Sequence, residues 1–137
     1  MTKRLFASIF LVALLSCGQS GPSLVGTWSG IHPEGGVNAF TFRNDGTATW
    51  TFENPDLGSY GFTYTIDYSV EPHHVMFTAF DHGPLEAVTF FGILEFNSRD
   101  QFRLDMEPGE AEDVPDDIRP TEFTDETQTY TRVDAAE

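Results

Sequence analysis

The chain has 137 residues, of which 39% are hydrophobic and 14% aromatic, a length that fits one domain. Acidic residues outnumber basic ones 22 to 7, and the formal net charge of −15 argues against binding to nucleic acid or electrostatic binding to an anionic lipid surface. A single cysteine excludes an internal disulfide and a cysteine-based zinc cluster.

The first 16 residues have the pattern of a signal peptide. Lys3 and Arg4 precede an uncharged apolar stretch, residues 5–15, which is too short as a helix to cross a hydrocarbon core of about 30 Å. The stretch ends in Leu14-Leu15-Ser16-Cys17, which resembles the lipobox of bacterial lipoproteins. The resemblance implies cleavage before Cys17 and a bilayer anchor of acyl chains, palmitate among them, on that cysteine.

The residue after the cysteine is Gly18 and not an aspartate. In Gram-negative lipoproteins this favours the outer membrane, with the domain facing the periplasm. Ordinary secretion, with Cys17 as an incidental residue, is the alternative. Removal of residues 1–16, which carry two basic residues and no acidic one, leaves 121 residues and changes the net charge to −17. Residues 17–23 then form the lipidated cysteine and a flexible tether, residues 24–133 the folded domain, and residues 134–137 a C-terminal tail.

Alternation of apolar and polar residues predicts eight short strands. The clearest covers residues 47–52, where Ala48, Trp50 and Phe52 alternate with threonines, and Asn44-Asp45-Gly46 before it predicts a hairpin turn. In chain order the predicted strands cover residues 24–31, 40–43, 47–52, 60–69, 75–80, 87–96, 101–106 and 127–133. No segment after the signal-peptide helix has a helical period. Because closure removes exposed edges, the sequence predicts an all-β fold, an antiparallel, roughly eight-stranded up-and-down barrel.

The domain resembles a known group of barrels. Residues 24–28 contain the Gly-x-Trp opening of lipocalins and the wider calycin group, and residues 91–95 and 119–123 match further segments of small bacterial lipocalin-like domains of uncharacterised function. The resemblance covers residues 24–133. It implies that Trp28 packs at the closed end of the barrel with Arg132 of the last strand lying across it, a structural pair stabilised by cation–π attraction.

Aromatic residues dominate the predicted interior. Of 19 aromatic residues, 17 remain after removal of the signal peptide, and most fall on the apolar side of their strand. The rings either fill the barrel or line a pocket for a small apolar or aromatic ligand. The leading hypothesis is a membrane-anchored lipocalin-like binding module. Its candidate ligand-binding residues are Phe40, Phe42, Trp50, Phe52, Phe62, Tyr64 and Phe102.

Three further groups of residues could carry chemistry. The histidines at positions 32, 73, 74 and 82 lie beside Pro72 and Gly83-Pro84, which indicates exposed loops, so no metal site is predicted. Ten acidic residues between positions 105 and 126 lack the spacing of a calcium loop and predict a solvated acidic segment. Residues 119–123 predict either an Arg119–Glu122 ion pair across the barrel mouth or a rigid turn in which Phe123 enters the core.

Catalytic motifs are absent from the sequence. There is no Gly-x-Ser-x-Gly segment and no phosphate-binding glycine loop, so the sequence predicts neither an enzyme nor a cofactor. The alternative to the ligand-binding hypothesis is an envelope interaction protein with a filled core, which meets an unidentified protein partner through its acidic surface. A metal-dependent enzyme that uses the histidines is a third hypothesis.

Overall fold

The computed structural model describes residues 21–32 and 36–133, and eight strands account for most of them. In chain order these are β1 (Gly26–His32), β2 (Gly36–Phe42), β3 (Thr47–Phe52), β4 (Ser59–Asp67), β5 (His73–Thr78), β6 (Thr89–Ser98), β7 (Gln101–Gly109) and β8 (Gln128–Arg132). Each strand pairs antiparallel with its neighbour in sequence, and β8 pairs with β1 to close the barrel. The predicted eight-stranded up-and-down barrel is confirmed. The predicted signal peptide, the acylated Cys17 and the C-terminal tail lie outside the described residues.

Strand β3 has its predicted bounds, and the other seven strands differ from theirs by one to four residues. For β2 and β5 the difference has a local reason. Strand β2 begins at Gly36, four residues before the predicted start. The prediction missed residues 36–39 because the inward-facing Asn38 interrupts the apolar alternation from which the strand is predicted. Strand β5 ends at Thr78, because Ala79 adopts a positive φ of 57° and turns the chain. The turn directs Phe80 into the barrel, where it is 3% exposed and stacks on Phe62.

Two short helical segments occur in the connections, although the sequence predicts none. A single 3-10 turn covers Gly83–Leu85, and helix α1 covers Pro115–Ile118. Each has a proline in its first positions, where the missing N–H costs nothing. At this length the two segments are turns within loops, and the fold remains all-β.

The barrel interior is packed with aromatic rings around Phe40. The Phe40 side chain is fully buried, and its ring centroid lies 4.9–6.2 Å from five other ring centroids. Those five rings belong to Phe42, Trp50, Phe62, Phe77 and Tyr130. Edge-to-face and offset geometries suit the ring quadrupoles, so this cluster contributes packing energy beyond its buried area.

One end of the barrel is sealed by the segment that enters β1. Trp28 is fully buried, and its indole N–H donates a hydrogen bond of 2.8 Å to the carbonyl of Leu24. Leu24 is also fully buried, and its backbone N–H donates to the Tyr68 hydroxyl. The chain therefore folds across the end of the barrel before the first strand begins, and we call this end the sealed end.

Arg132 fastens the sealed end from outside. Its guanidinium carbon lies 4.2 Å from the centre of the Trp28 ring. Its side-chain nitrogens donate to the carbonyls of Ser23 and Val25 on one side, and to the carbonyl of Arg99 and the carboxylate of Asp100 on the other. The single residue thus joins the entering chain to the β6–β7 turn across the indole. Gly26 lies beneath it at a φ of 135°, where a Cβ atom would come 2.5 Å from Arg132 Nη1.

The outer face of β6 and β7 carries a second apolar layer. Phe91 and Ile93 point away from the barrel interior, yet they are 0% and 2% exposed. Residues 110–127, the connection to β8, fold back over this face; Ile118 of α1 lies close to Gly109 and Phe91 there. The uninterrupted apolar run in β6 is explained by this cover, because both faces of the strand are buried.

We expect Arg132→Ala to lower the free energy of unfolding by about 2–3 kcal/mol, because it removes a cation–π contact and several charge-assisted hydrogen bonds together. Arg132→Lys should recover only a minor part, since a lysine cannot reproduce the planar fork. Urea unfolding of the folded domain measures both.

The matched control is Arg43→Ala, which removes an exposed arginine whose side chain donates to the Thr47 and Thr49 hydroxyls across the β2–β3 turn. It should cost a few tenths of a kcal/mol. Equal losses for the two arginines would show that Arg132 does not fasten the sealed end.

Candidate functional site

The barrel end opposite Trp28 is lined by large apolar side chains that remain partly exposed. Trp50 is 8% exposed there, and the half-buried side chains around it pack against the core without being enclosed by it. We call the set the rim cluster. Its members are Trp50, Phe52, Tyr60, Leu85, Phe90 and Met106.

Ring contacts hold the rim cluster together. The Trp50 centroid lies 4.9 Å from that of Phe52 and 5.9 Å from that of Phe90, and Phe52 contacts Tyr60 at 6.4 Å. Trp50 also stacks on the central Phe40 at 4.9 Å. The rim cluster is therefore the partly exposed continuation of the buried core.

Most of the predicted ligand-binding residues form one connected series. Phe42, Phe40, Trp50 and Phe52 are in contact from the barrel centre to the rim, and Phe62 contacts Phe40 and Phe42 from the side. Phe40, Phe42 and Phe62 are 0–4% exposed, so within this series only Trp50 and Phe52 reach the rim cluster.

The other two predicted residues lie elsewhere. Phe102 is fully buried near the sealed end, 4.7 Å from Trp28 and 5.3 Å from Tyr130 by ring centroids. The Tyr64 ring packs on Phe42, and its hydroxyl donates a 2.7 Å hydrogen bond to the carbonyl of Arg43 at the β2–β3 turn. Burial raises the pKa of Tyr64 above its ordinary value, so this hydroxyl keeps its proton. The seven residues do not line one common space.

Asn38 is the polar residue in the interior that sequence reasoning missed. It is 1% exposed, and its Oδ1 accepts hydrogen bonds from the Trp50 indole at 3.0 Å and from the Tyr130 hydroxyl at 2.9 Å. Its Nδ2 has no hydrogen-bond partner within the part of the chain that the structure describes. The sequence did contain a signal for it. Asn38 lies two residues before Phe40 and four before Phe42, so the three side chains share the inward face of the strand.

The hydroxyl of Tyr130 joins Asn38 to a second amide. It lies 2.8 Å from Oε1 of Gln128 as well as 2.9 Å from Oδ1 of Asn38. Burial raises the pKa of Tyr130 well above its ordinary range, so the hydroxyl is a proton donor at all physiological pH values. One hydrogen-bonded set of side chains, which we call the polar group, therefore lies inside the aromatic interior. Its members are Asn38, Trp50, Gln128 and Tyr130.

Residues 79–88 fold over one side of the rim cluster and are held there by Asp81. Its carboxylate accepts hydrogen bonds from the backbone N–H of Gly61 at 3.2 Å and from Nδ1 of His82 at 2.6 Å. The His82 ring stacks on Tyr60 of the rim cluster, with centroids 4.9 Å apart. These two hydrogen bonds, that from His82 foremost, hold the pKa of Asp81 below its usual value.

The histidines do not all lie in exposed loops. His82 does, but His73 is the first residue of β5 and is 8% exposed, so the prediction is wrong for His73. Its Nδ1–H donates to the carbonyl of Val70, and its ring packs between Tyr68 and Phe96. Within residues 21–32 and 36–133, no three histidine, cysteine or acidic side chains lie close enough together to hold a metal ion.

Neither expectation for residues 119–123 describes the structure. Arg119 pairs with Asp116 at 3.1 Å, and its Nε donates to the carbonyl of Gly92 on the outer side of β6. Phe123 packs on the outer face of the barrel, with the guanidinium of Arg103 lying 3.9 Å above its ring. Both residues attach the connection to the barrel surface.

The acidic segment is also less solvated than predicted. Asp105 is 9% exposed, and its Oδ2 accepts hydrogen bonds from the hydroxyls of Thr124 and Thr127. Two neutral donors thus compensate its burial against the folded-back connection. Most of the other acidic side chains between positions 107 and 126 remain exposed.

In the described part of the chain, no helix has the length and apolar character needed to cross a membrane. No family model matches the sequence, and no curated protein matches it. The crystal structure of Tp0751 (pallilysin) from Treponema pallidum has a similar fold, with a TM-score of 0.53. The alignment covers 94% of this chain and 97% of that chain at 13% sequence identity, so the likeness shows the fold alone.

We expect Asp81 to stabilise the barrel above about pH 4 and to lose this effect in acid. Because its pKa is lower in the folded than in the unfolded chain, its contribution is complete above the unfolded value of 3.8 and disappears as the pH falls through the folded value. The difference in melting temperature between the wild type and Asp81→Asn should therefore shrink between pH 5 and pH 2.

Asp56→Asn in the β3–β4 connection is the matched control, since it removes the same charge at the same end of the barrel. Thermal unfolding across this pH range compares the variants. A difference for Asp81→Asn that stays constant with pH would contradict the role given to its carboxylate.

Proposed function

We propose that the chain is a lipid-anchored, lipocalin-like lipoprotein of the bacterial cell envelope that binds a small apolar or aromatic ligand at the rim cluster. The rim cluster carries the proposal: large apolar side chains converge at one end of a closed barrel and stay partly exposed, while Leu24 and Trp28 at the other end are fully buried. Ligand sites are concave and mostly apolar, and mouths of β-barrels are frequent places for them.

The packing of the centre limits how deep such a ligand enters. Phe40 and Phe77 are fully buried and contact each other at 5.5 Å. A ligand would therefore rest against Trp50, Phe52 and Phe90 and be covered by residues 79–88. Binding would rest on removal of apolar area from water, at about 25 cal/mol per Å².

The position of the N-terminal segment supports the anchoring part of the proposal. Ser23 enters the barrel at the sealed end, where its carbonyl accepts a hydrogen bond from Arg132. Cys17 precedes Ser23 by six residues, a span of at most about 20 Å. An acylated Cys17 would thus hold the sealed end towards the bilayer, with the rim cluster facing away into the periplasm.

A second candidate function is that of an envelope interaction protein that binds no ligand. The observation that favours it is the dense packing of the interior, in which Phe40, Phe77 and Phe102 have no exposed surface. In that case recognition of a protein partner would use the acidic exterior, and the aromatic rings would serve stability alone.

Native mass spectrometry distinguishes the two candidates. The domain Ser23–Glu137, exported to the periplasm and purified without detergent, should carry a discrete added mass that is lost on denaturation. Phe52→Glu in the rim cluster should abolish the added mass. The control Ile31→Glu, at a side chain 73% exposed on the outside of β1, should retain it.

A wild-type domain that is free of added mass, and stays so after incubation with an envelope lipid extract, would contradict ligand binding. That result would favour the filled-core alternative and direct the search to protein partners.

We expect Cys17→Ala to abolish lipidation. Cells grown with an alkyne analogue of palmitate should label the wild type and recover it in the membrane fraction, whereas the variant should be unlabelled. Ser16→Ala keeps a small residue before the cysteine and should remain labelled. Label on the Cys17→Ala protein, or none on the wild type, would contradict anchoring through this residue.

A further inference from the structure

We infer that the ligand of the rim cluster carries a neutral carbonyl oxygen on its apolar or aromatic body, and that Nδ2 of Asn38 donates a hydrogen bond to this oxygen. The inference rests on the proposed function and adds the chemical class of the ligand. It starts from the one amide nitrogen that the barrel buries without a partner among its described residues.

The orientation of the Asn38 amide is fixed by its neighbours. The indole N–H of Trp50 is a donor only, and it points at Oδ1 of Asn38 at 3.0 Å. Rotation of the amide by 180° would bring Nδ2 against this N–H and against the Tyr130 hydroxyl, which also donates to Oδ1. Nδ2 must therefore face away from both residues.

The rest of the polar group leaves no acceptor for Nδ2. The Tyr130 hydroxyl has one proton and two acceptor oxygens within reach, Oδ1 of Asn38 and Oε1 of Gln128. Whichever oxygen takes this proton, Oδ1 of Asn38 still accepts from the Trp50 indole, and neither choice gives Nδ2 an acceptor among the described residues. The N–H bonds of Asn38 Nδ2 are left over, and buried polar groups in proteins are nearly always paired.

The unpaired nitrogen lies beside the rim cluster. Asn38 is one inward position beyond Phe40 along β2, towards the rim, and it is paired in register with Phe52 of β3. Its partner Trp50 is itself a rim residue. A ligand that rests on Trp50 and Phe52 therefore has a hydrogen-bond donor at its inner edge.

The surrounding charges favour a neutral acceptor over a carboxylate. A buried carboxylate needs a cation, and the arginines in the described residues lie at the sealed end or on the outer face. They are Arg43, Arg99, Arg103, Arg119 and Arg132. A ketone, ester or amide oxygen accepts the N–H without requiring a counter-charge.

Two probes of equal shape test the inference. 2-Acetylnaphthalene presents a carbonyl oxygen, and 2-isopropenylnaphthalene replaces that oxygen by a methylene group. Binding is measured by equilibrium dialysis against the full chain as recovered from the expressing cells and kept in lipid nanodiscs, with empty nanodiscs of the same lipid subtracted. The wild type should bind the ketone at least about 10-fold more tightly than the alkene, since a site built to hydrogen-bond a ligand discriminates against the analogue that lacks the partner.

Asn38→Leu should abolish this preference, so that both probes bind with affinities within about twofold of each other. Asn97→Leu is the matched control, because Asn97 lies near the end of β6 at the sealed end of the barrel, where its Nδ2 donates to Oε1 of Gln101. It should keep the preference for the ketone. Should Asn38→Leu fail to fold, the ¹⁵N-labelled wild type gives the same answer: the side-chain amide protons of Asn38 should move downfield with the ketone and not with the alkene.

Equal binding of the two probes to the wild type, with no movement of the Asn38 amide resonance, would overturn the inference and assign the donor to a buried water, while ligand binding at the rim cluster would stand. If neither probe exceeds the empty nanodiscs and the purified domain also carries no added mass, the proposed function itself fails.

Discussion

Closure of the barrel depends on the seam between its first and last strands. Strands β1 and β8 pair at only three register positions, from Trp28–Arg132 to Gly30–Tyr130, whereas β1 and β2 pair at seven. Arg132 compensates for this short seam, because its side chain covers the Trp28 ring and bonds to four backbone or side-chain groups around it. Loss of this seam would open the sheet and expose two unpaired edges, one on β1 and one on β8.

The seam also gives the barrel two different ends. The chain enters beneath Arg132, so Leu24 and Trp28 are buried there and cover that end. At the other end, residues 79–88 and the rim cluster are held by local contacts, chiefly the bonds of Asp81 to Gly61 and His82. Elements held by few contacts open more easily than a packed core, so the rim is the end at which the proposed ligand would enter.

Sequence reasoning predicted the eight strands because a half-buried strand alternates, and the alternation in residues 47–52 is nearly ideal. It could not predict the outer apolar layer, because the cover over Phe91 and Ile93 comes from the distant residues 110–127. For the same reason one of its two expectations for residues 119–123 placed Phe123 in the core, because nothing in that short segment indicates which side of the sheet the ring reaches. The turn at Ala79 was missed because alanine rarely adopts a positive φ, and this turn is what brings Phe80 into the barrel.

Asn38 was overlooked for a different reason: it contradicts the rule by which the strands were found. At an inward position among aromatic rings an apolar side chain costs the least free energy, because a leucine there would leave no amide to desolvate. The two hydrogen bonds that Asn38 accepts offset part of the cost of desolvating its amide. Apolar residues at positions 38, 50 and 130 together would need neither hydrogen bond. A polar side chain at an inward position is a conflict between local choice and overall fold, and such conflicts are often found at functional sites, in line with the role that we propose for Asn38. The barrel that Arg132 closes at one end thus carries, near the other, a donor without a partner among the described residues, and the proposed ligand would supply its acceptor.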